Sequence, residues 1–200
     1  MTEKKSITKE IIAEYPVEEF SGRIIVARTE SEVIKAMSYL SSFPIIGFDT
    51  ETRPSYKKGT IRGVALMQLS TDDTCFLIRL NLTDFPPCLV DFLSNAKIQK
   101  VGLSLRDDFL SMNRRTKIEP KGFIDLQKIV PRYGFADIGL QKIYAILFGK
   151  RISKGQRLTN WEAGILTDAQ KKYAALDAWA CLKIYKKLIS IYGIDAISSA

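Results

Sequence analysis

The segment FPIIGFDTET, residues 43–52, constrains this chain more than any other: an apolar run, Ile45 to Phe48, breaks off at Asp49, and Glu51 follows two positions later. Side chains alternate along a strand, so Asp49 and Glu51 share a face. Two carboxylates side by side at the end of a buried strand repel each other and cost desolvation free energy. A hard divalent cation offsets that cost. Taken by itself, the segment also reads as a strand running out into an acidic turn. The rest of the chain decides between the two.

The chemistry available to such a site is narrowed by one absence. The 200 residues contain no histidine, which removes Ser-His-Asp and Cys-His nucleophiles, histidine bases and histidine-containing zinc sites. Carboxylates, hydroxyls, lysine, arginine or a metal held by oxygen ligands remain. Cys75, Cys88 and Cys181 are widely spaced among apolar neighbours with no CxxC pattern, and read as reduced core residues of a cytoplasmic protein. No apolar run is long enough to span a membrane, and the lysine-bearing start, MTEKKSITKE, is followed by no apolar segment of a secretory signal.

The net charge is +8 and the pI about 9.3, which suits an anionic partner. The charge is unevenly placed: residues 97–157 hold 14 Lys/Arg against 5 Asp/Glu. Arg53, Lys57, Lys58 and Arg62 also follow close on the opening segment with no acid between them. A solvated basic surface is the plain alternative.

Composition predicts one globular domain over residues 22–200, preceded by an N-terminal extension, 1–21, with one short helix. Strands are predicted at Arg23–Arg28, over 43–51, at Gly63–Ser70, Thr74–Leu80 and Gln99–Leu103, the middle ones joined by turns short enough for antiparallel pairing. Capping boxes at Thr29–Glu32 and Thr167–Gln170 announce helices, the second running to about Tyr192 with Gly193 as its stop. Further helices are predicted over 84–95, from Asp107 to Asn113, at Ile124–Tyr133 and at Ile138–Phe148. Strands followed mostly by helices make the fold class α/β or α+β.

The last helix carries YAALDAWACLKIY, with Tyr173 and Asp177 four residues apart and hence on one face. Asp177 stands among Ala174, Ala175, Leu176, Ala178 and Trp179, where a charge needs a partner; an exposed polar stripe is the alternative. Between the two ends lies VGLSLRDDF, residues 101–109, a short strand leading into Asp107-Asp108 at a helix start, where acids are also ordinary dipole partners. Together these carboxylates suffice to hold two Mg²⁺ or Mn²⁺ ions. Such a pair clamps the attacking and leaving oxygens of a phosphodiester. A basic surface then positions the phosphate backbone, and a tyrosine orients the water.

In order and spacing these motifs resemble those of the 3′–5′ exonucleases of the ribonuclease D and proofreading superfamily, in the class with four acids and a tyrosine (DEDDy). FDTE is similar to the first motif, and Tyr173-x-x-x-Asp177 to the third. In the second, the acid follows a strand-ending glycine by six residues; Gly102 plus six is Asp108, with Asp107 as the one-position ambiguity. Within that superfamily, Asn160-Trp161 through LTDAQKKYAALDAWACLKIY is most similar to the exonuclease domains of the Werner helicase group and its bacterial relatives. The likeness covers roughly residues 22–192.

The resemblance implies a ribonuclease H-like fold, a mixed five-stranded sheet flanked by helices. It implies that Asp49, Glu51 and Asp177 bind the metal that activates water, that Asp49 and Asp108 bind a second, and that Tyr173 holds the nucleophilic water. The partner implied is nucleic acid, single-stranded or at duplex 3′ ends, DNA ahead of RNA. Further candidates toward it each have a plainer alternative. Met67 and Leu69 could wedge against the terminal nucleotide or pack in the core. Trp161 could stack on a base or anchor its loop. Lys150, Arg151, Lys154 and Arg157 could track the backbone or form a solvated loop. Asp125 is read as a helix N-terminal residue rather than a fifth acid. A nucleic-acid-binding module without catalysis is the alternative function on the same fold.

Overall fold

The computed structural model describes residues 4–55 and 62–193. Lys57, Lys58 and most of the predicted loop Ser55–Gly59 lie outside them.

Six strands form one mixed sheet in the order β1-β4-β3-β2-β5-β6. They are β1 (Arg23–Ala27), β2 (Ile45–Thr52), β3 (Val64–Ser70), β4 (Thr74–Ile78), β5 (Gln99–Gly102) and β6 (Phe123–Asp125). β2, β3 and β4 pair antiparallel, as their short connections predict. β1 with β4, β2 with β5 and β5 with β6 pair parallel. The sixth strand adds one to the five expected. Three residues, Phe-Ile-Asp, are too few to show a period, so the segment reads as the start of the helix behind it. That helix is itself shorter than predicted: α6 (Leu126–Ile129) passes into a 3₁₀ turn, Val130–Tyr133. Pro131 there has no N–H to donate to a continuing α-helical ladder.

Helices cover both faces. On one side α2 (Glu30–Leu40), α4 (Pro87–Leu93) and α5 (Leu105–Asn113) enclose Ile46, Phe48, Met67 and Leu69. The predicted helix over 84–95 is α4 behind a single turn, α3 (Leu80–Thr83), and Pro87 opens it where its missing N–H is harmless. On the other side α7 (Leu140–Phe148) and α8 (Asp168–Tyr192) pack Ile143 and Ile184 over Leu66 and Val101 of the sheet. Thr29–Glu32 and Thr167–Gln170 form complete capping boxes. α7 ends on Gly149 at φ 61°, the left-handed stop that glycine takes without strain.

The segment before β1 is fastened to this body. It contains α1 (Lys9–Glu14), whose Ile12 packs with Ile7 against Ala145 of α7. Its main anchor is Glu18, buried beside the Tyr144 hydroxyl at 2.6 Å, Lys150 at 3.0 Å and Lys183 at 3.2 Å. Those hydrogen bonds outweigh its desolvation and hold its carboxyl well below the usual range. No helix among the described residues is long and apolar enough to cross a membrane.

Candidate active site

Strand alternation sends Gly47, Asp49 and Glu51 to the face of β2 that α8 covers. A Cβ added at Gly47 would sit 2.0 Å from the carbonyl oxygen of Ala178. The bare backbone therefore lets α8 lie directly on β2, one residue past Asp177. The result is a group of three acids: ligand oxygens of Asp49, Glu51 and Asp177 lie within 4.8 Å of one another. Asp177 is 7% exposed.

Asp108 reaches the same neighbourhood from α5 but stands outside that group of three. Its Oδ1 accepts a hydrogen bond from the hydroxyl of Thr50, and its charge is felt at both Asp49 and Glu51. Asp107 is exposed, whereas Asp108 is half-buried. α5 begins at Ser104 in the left-handed region, φ 64°, with no cap from its own side chain. Asp125 supplies one across the sheet edge, accepting from Ser104 N at 2.9 Å and Leu105 N at 3.2 Å. It also caps its own helix through Gln127 N at 3.0 Å, so its lone pairs are spent on two helix starts.

No carboxylate among Asp49, Glu51, Asp108 and Asp177 has a salt-bridge partner among the described residues. Burial, then repulsion from Asp177, Glu51 and Asp108, drives Asp49 well above the carboxylate range. Burial and the charges of Asp177 and Asp108 push Glu51 up to about 8. Asp177 rises to about 7 through burial, against the lowering effect of the Tyr173 hydrogen bond and of Lys154. Asp108 rises to about 6 through burial, opposed by Thr50. Burial and the neighbouring acids keep the Tyr173 phenol protonated. Asp177 Oδ1 is buried without a hydrogen-bond partner among the described residues. A clustered, all-oxygen, unneutralised donor set with an orphaned oxygen fits a divalent cation.

The same shifts set a stability expectation. Each acid binds its proton more tightly folded than unfolded, so stability falls as pH rises from the unfolded values near 4 toward about 8. In chelator the protein is expected to melt lower at pH 8 than at pH 5.5, and added Mn²⁺ is expected to narrow that gap. A chelated protein that melts higher at pH 8 contradicts the electrostatics.

The remaining candidates separate. Lys154 and Arg157 reach the acids: the first lowers the pKa of Asp177 and the second that of Glu51. Lys150 is committed to Glu18, and Arg151 gives its Nε–H to the carbonyl of Tyr15 at 3.0 Å. Met67 and Leu69 are 0% exposed in the core on the α2 side, which corrects their candidacy as nucleotide wedges. Trp161 is also 0% exposed and packs against Tyr173 at 6.1 Å, which corrects its reading as a base-stacking platform. It supports the tyrosine instead.

Three residues at the site had been missed. Thr50 holds Asp108, from the middle position of the Asp-x-Glu pair. Gln68 lies opposite Asp49 in register, fully buried, with neither amide atom partnered among the described residues. A lone amide inside VALMQLS was the signal for it. Glu162 receives Arg53 at 3.1 Å and Arg62 at 3.4 Å, bracing the segment before α8 against the ends of β2 and β3. These pairs carried no local signal.

A mixed sheet with half-buried acids on its central strand and a covering helix places the chain among the ribonuclease H-like exonuclease folds. Residues 24–191 match the model of the 3′–5′ exonuclease family, and the chain belongs to that family of hydrolases. It is 31% identical over 199 residues to the bifunctional 3′–5′ exonuclease/ATP-dependent helicase WRN of Mus musculus, covering 94% of this chain and 14% of that protein. It is 29% identical over 202 residues to a 3′–5′ exonuclease of Arabidopsis thaliana, covering 93% of this chain and 69% of that one. Among solved structures, the EXO domain of Aedes aegypti Nibbler superimposes with a TM-score of 0.77 at 20% identity, over 88% of this chain and 94% of that one.

Proposed function

We propose that this protein is a 3′–5′ exonuclease that shortens DNA, in preference to RNA, by two-metal hydrolysis with Mg²⁺ or Mn²⁺. The observation that carries the proposal is the convergence of three carboxylates, Asp49, Glu51 and Asp177, whose ligand oxygens lie within 4.8 Å of one another. On this reading those three hold one ion and Asp49 with Asp108 a second. Bound there, the ions supply an activated water and neutralise charge on the leaving oxygen.

The chain's own residues do the rest. Tyr173, kept protonated, hydrogen-bonds the attacking water, and the packed indole of Trp161 keeps the phenol in place. Lys154 and Arg157 draw the scissile phosphate toward the acids. Water adds to phosphorus and the bond to O3′ breaks. The shortened strand keeps the O3′ oxygen, which takes a proton, and a nucleoside 5′-monophosphate leaves. The DNA preference is supported by the alignment with the helicase-linked exonuclease over 94% of the chain. Cytoplasmic location is proposed from the reduced cysteines, all three of them free.

Labelled single-stranded, duplex and recessed DNA, beside matched RNA, tests the proposal with Mg²⁺, with Mn²⁺ and with chelator. Stepwise shortening of DNA from the 3′ end, stopped by chelator, is expected. Intact 3′ ends under both metals would defeat the enzyme reading, and faster loss of RNA would reverse the substrate preference.

A further inference from the structure

The family match begins at residue 24, yet a helix before that point forms part of the site's surroundings. A cavity of about 580 Å³ opens beside the acids, with Tyr173 and Asp177 in its wall. α1 lines it too, through Lys9, Ile12 and Ala13. The volume lies within the roughly 300–1,000 Å³ usual for ligand sites.

The charge of this cavity is lopsided. Lys9, Lys142, Arg151, Lys154 and Arg157 line it against a single acid, Asp177. Lys142 is paired with Asp137 at 2.7 Å. Lys9, Lys154 and Arg157 have no ion pair among the described residues. Lys154 and Arg157 face Asp177 and Glu51, yet the cations of the wall outnumber its one acid, and a chain of phosphates entering the cavity relieves the repulsion among them.

α1 is also held firmly enough to act as a wall. On one side of it Lys5 N–H donates to Gly134 O at 2.7 Å and Ile7 N–H to Asp137 Oδ2 at 3.3 Å. On the other, Arg151 N–H donates to Pro16 O and Glu18 N–H to Arg151 O, both at 2.9 Å. The segment is thereby bound to the base of the loop that carries Lys154 and Arg157.

Resting on the exonuclease reading, we infer that α1 is a strand-gripping element, in which Lys9 contacts a backbone phosphate upstream of the terminal nucleotide. Lys154 and Arg157 serve the phosphates nearest the acids, and Lys9 extends the grip along the strand. The ligand chemistry is a phosphodiester chain rather than a free mononucleotide.

The test compares Lys9→Glu with wild type and with Lys35→Glu, which makes the same charge change on exposed α2, across the sheet from the cavity. Substrates are a ten-nucleotide single strand and the p-nitrophenyl ester of thymidine 5′-monophosphate, which has no upstream phosphate. Lys9→Glu is expected to raise KM for the strand roughly three- to ten-fold and to make the salt dependence shallower by about one phosphate contact. Its effect on the ester is expected to be smaller, and Lys35→Glu is expected to follow wild type on both. An unchanged KM for the strand overturns the inference. So does an equal loss on strand and ester, or an equal loss in Lys35→Glu. If wild type cleaves neither substrate, the nuclease reading fails separately. Fluorescence anisotropy of the labelled strand in chelator then decides on Lys9 alone: weaker binding by Lys9→Glu supports the grip, and equal binding refutes it.

Discussion

Replacing Asp49 by asparagine is expected to lower exonuclease activity on the order of a thousand-fold or more while raising the melting temperature of the chelated protein. The charges of Asp177, Glu51 and Asp108 all act on Asp49. Removing its charge takes away the one carboxylate proposed to serve both ions, which corresponds to roughly 4 kcal/mol of transition-state stabilisation. The same change relieves three repulsions in the free protein, so stability moves opposite to activity. Asparagine keeps the volume, and no cavity is opened. Rates on 3′-labelled DNA and melting curves with and without Mn²⁺ check both halves. Retained activity ends the catalytic assignment of Asp49, and a lower melting temperature in chelator ends the electrostatic one.

The second large effect falls on a residue with no side chain. Gly47→Ala is expected to destabilise the protein by about 3 kcal/mol, at the upper end of overpacking costs. The new Cβ meets Ala178 O at 2.0 Å and Ala178 C at 2.8 Å, both backbone atoms. A flexible side chain would swing aside, but here α8 has to move as a body, and Asp177 moves with it. For a chain of this size that cost corresponds to a fall of about 6–12 °C in melting temperature. The stabilisation by Mn²⁺ is expected to shrink as well, because the three acids no longer converge. A melting temperature within two degrees of wild type would show that the seam has more slack than its spacing suggests.

What could be read from the chain beforehand follows a physical division. Asp49 with Glu51, and Tyr173 with Asp177, are pairs whose geometry is fixed by the period of one strand and one helix, so local spacing was enough. The helix limits at Thr29, Thr167, Gly149 and Gly193 were legible for the same reason, since caps act within a turn. The position of Asp108 needed the strand-ending Gly102 as a ruler, and its neighbour Asp107 turns out to face solvent. Alternatives stayed open where the deciding partner is far away in sequence. Trp161, Met67 and Leu69 carry the same side chains whether they stack on a base or fill a core, and only the fold buries them. Lys150 looked like its basic neighbours until Glu18, from the far end of the chain, was placed beside it. Lys9 belonged to a segment that gave no hint of lying near the acids. β6, three residues long, was overrun by the reading of Ile124–Tyr133 as one helix.

The seam between Gly47 and Ala178 also bears on the order in which the molecule can assemble. β2 precedes α8 in the chain, so Asp49 and Glu51 are synthesised before Asp177 and Tyr173. Contacts between such distant parts of a chain form slowly and close only once the intervening sheet is in place. On the proposed mechanism, a nascent or truncated chain lacking α8 has Asp49, Glu51 and Asp108 but neither Asp177 nor Tyr173, and it cannot assemble the three-acid group. On that mechanism, completion of α8 is what arms the enzyme.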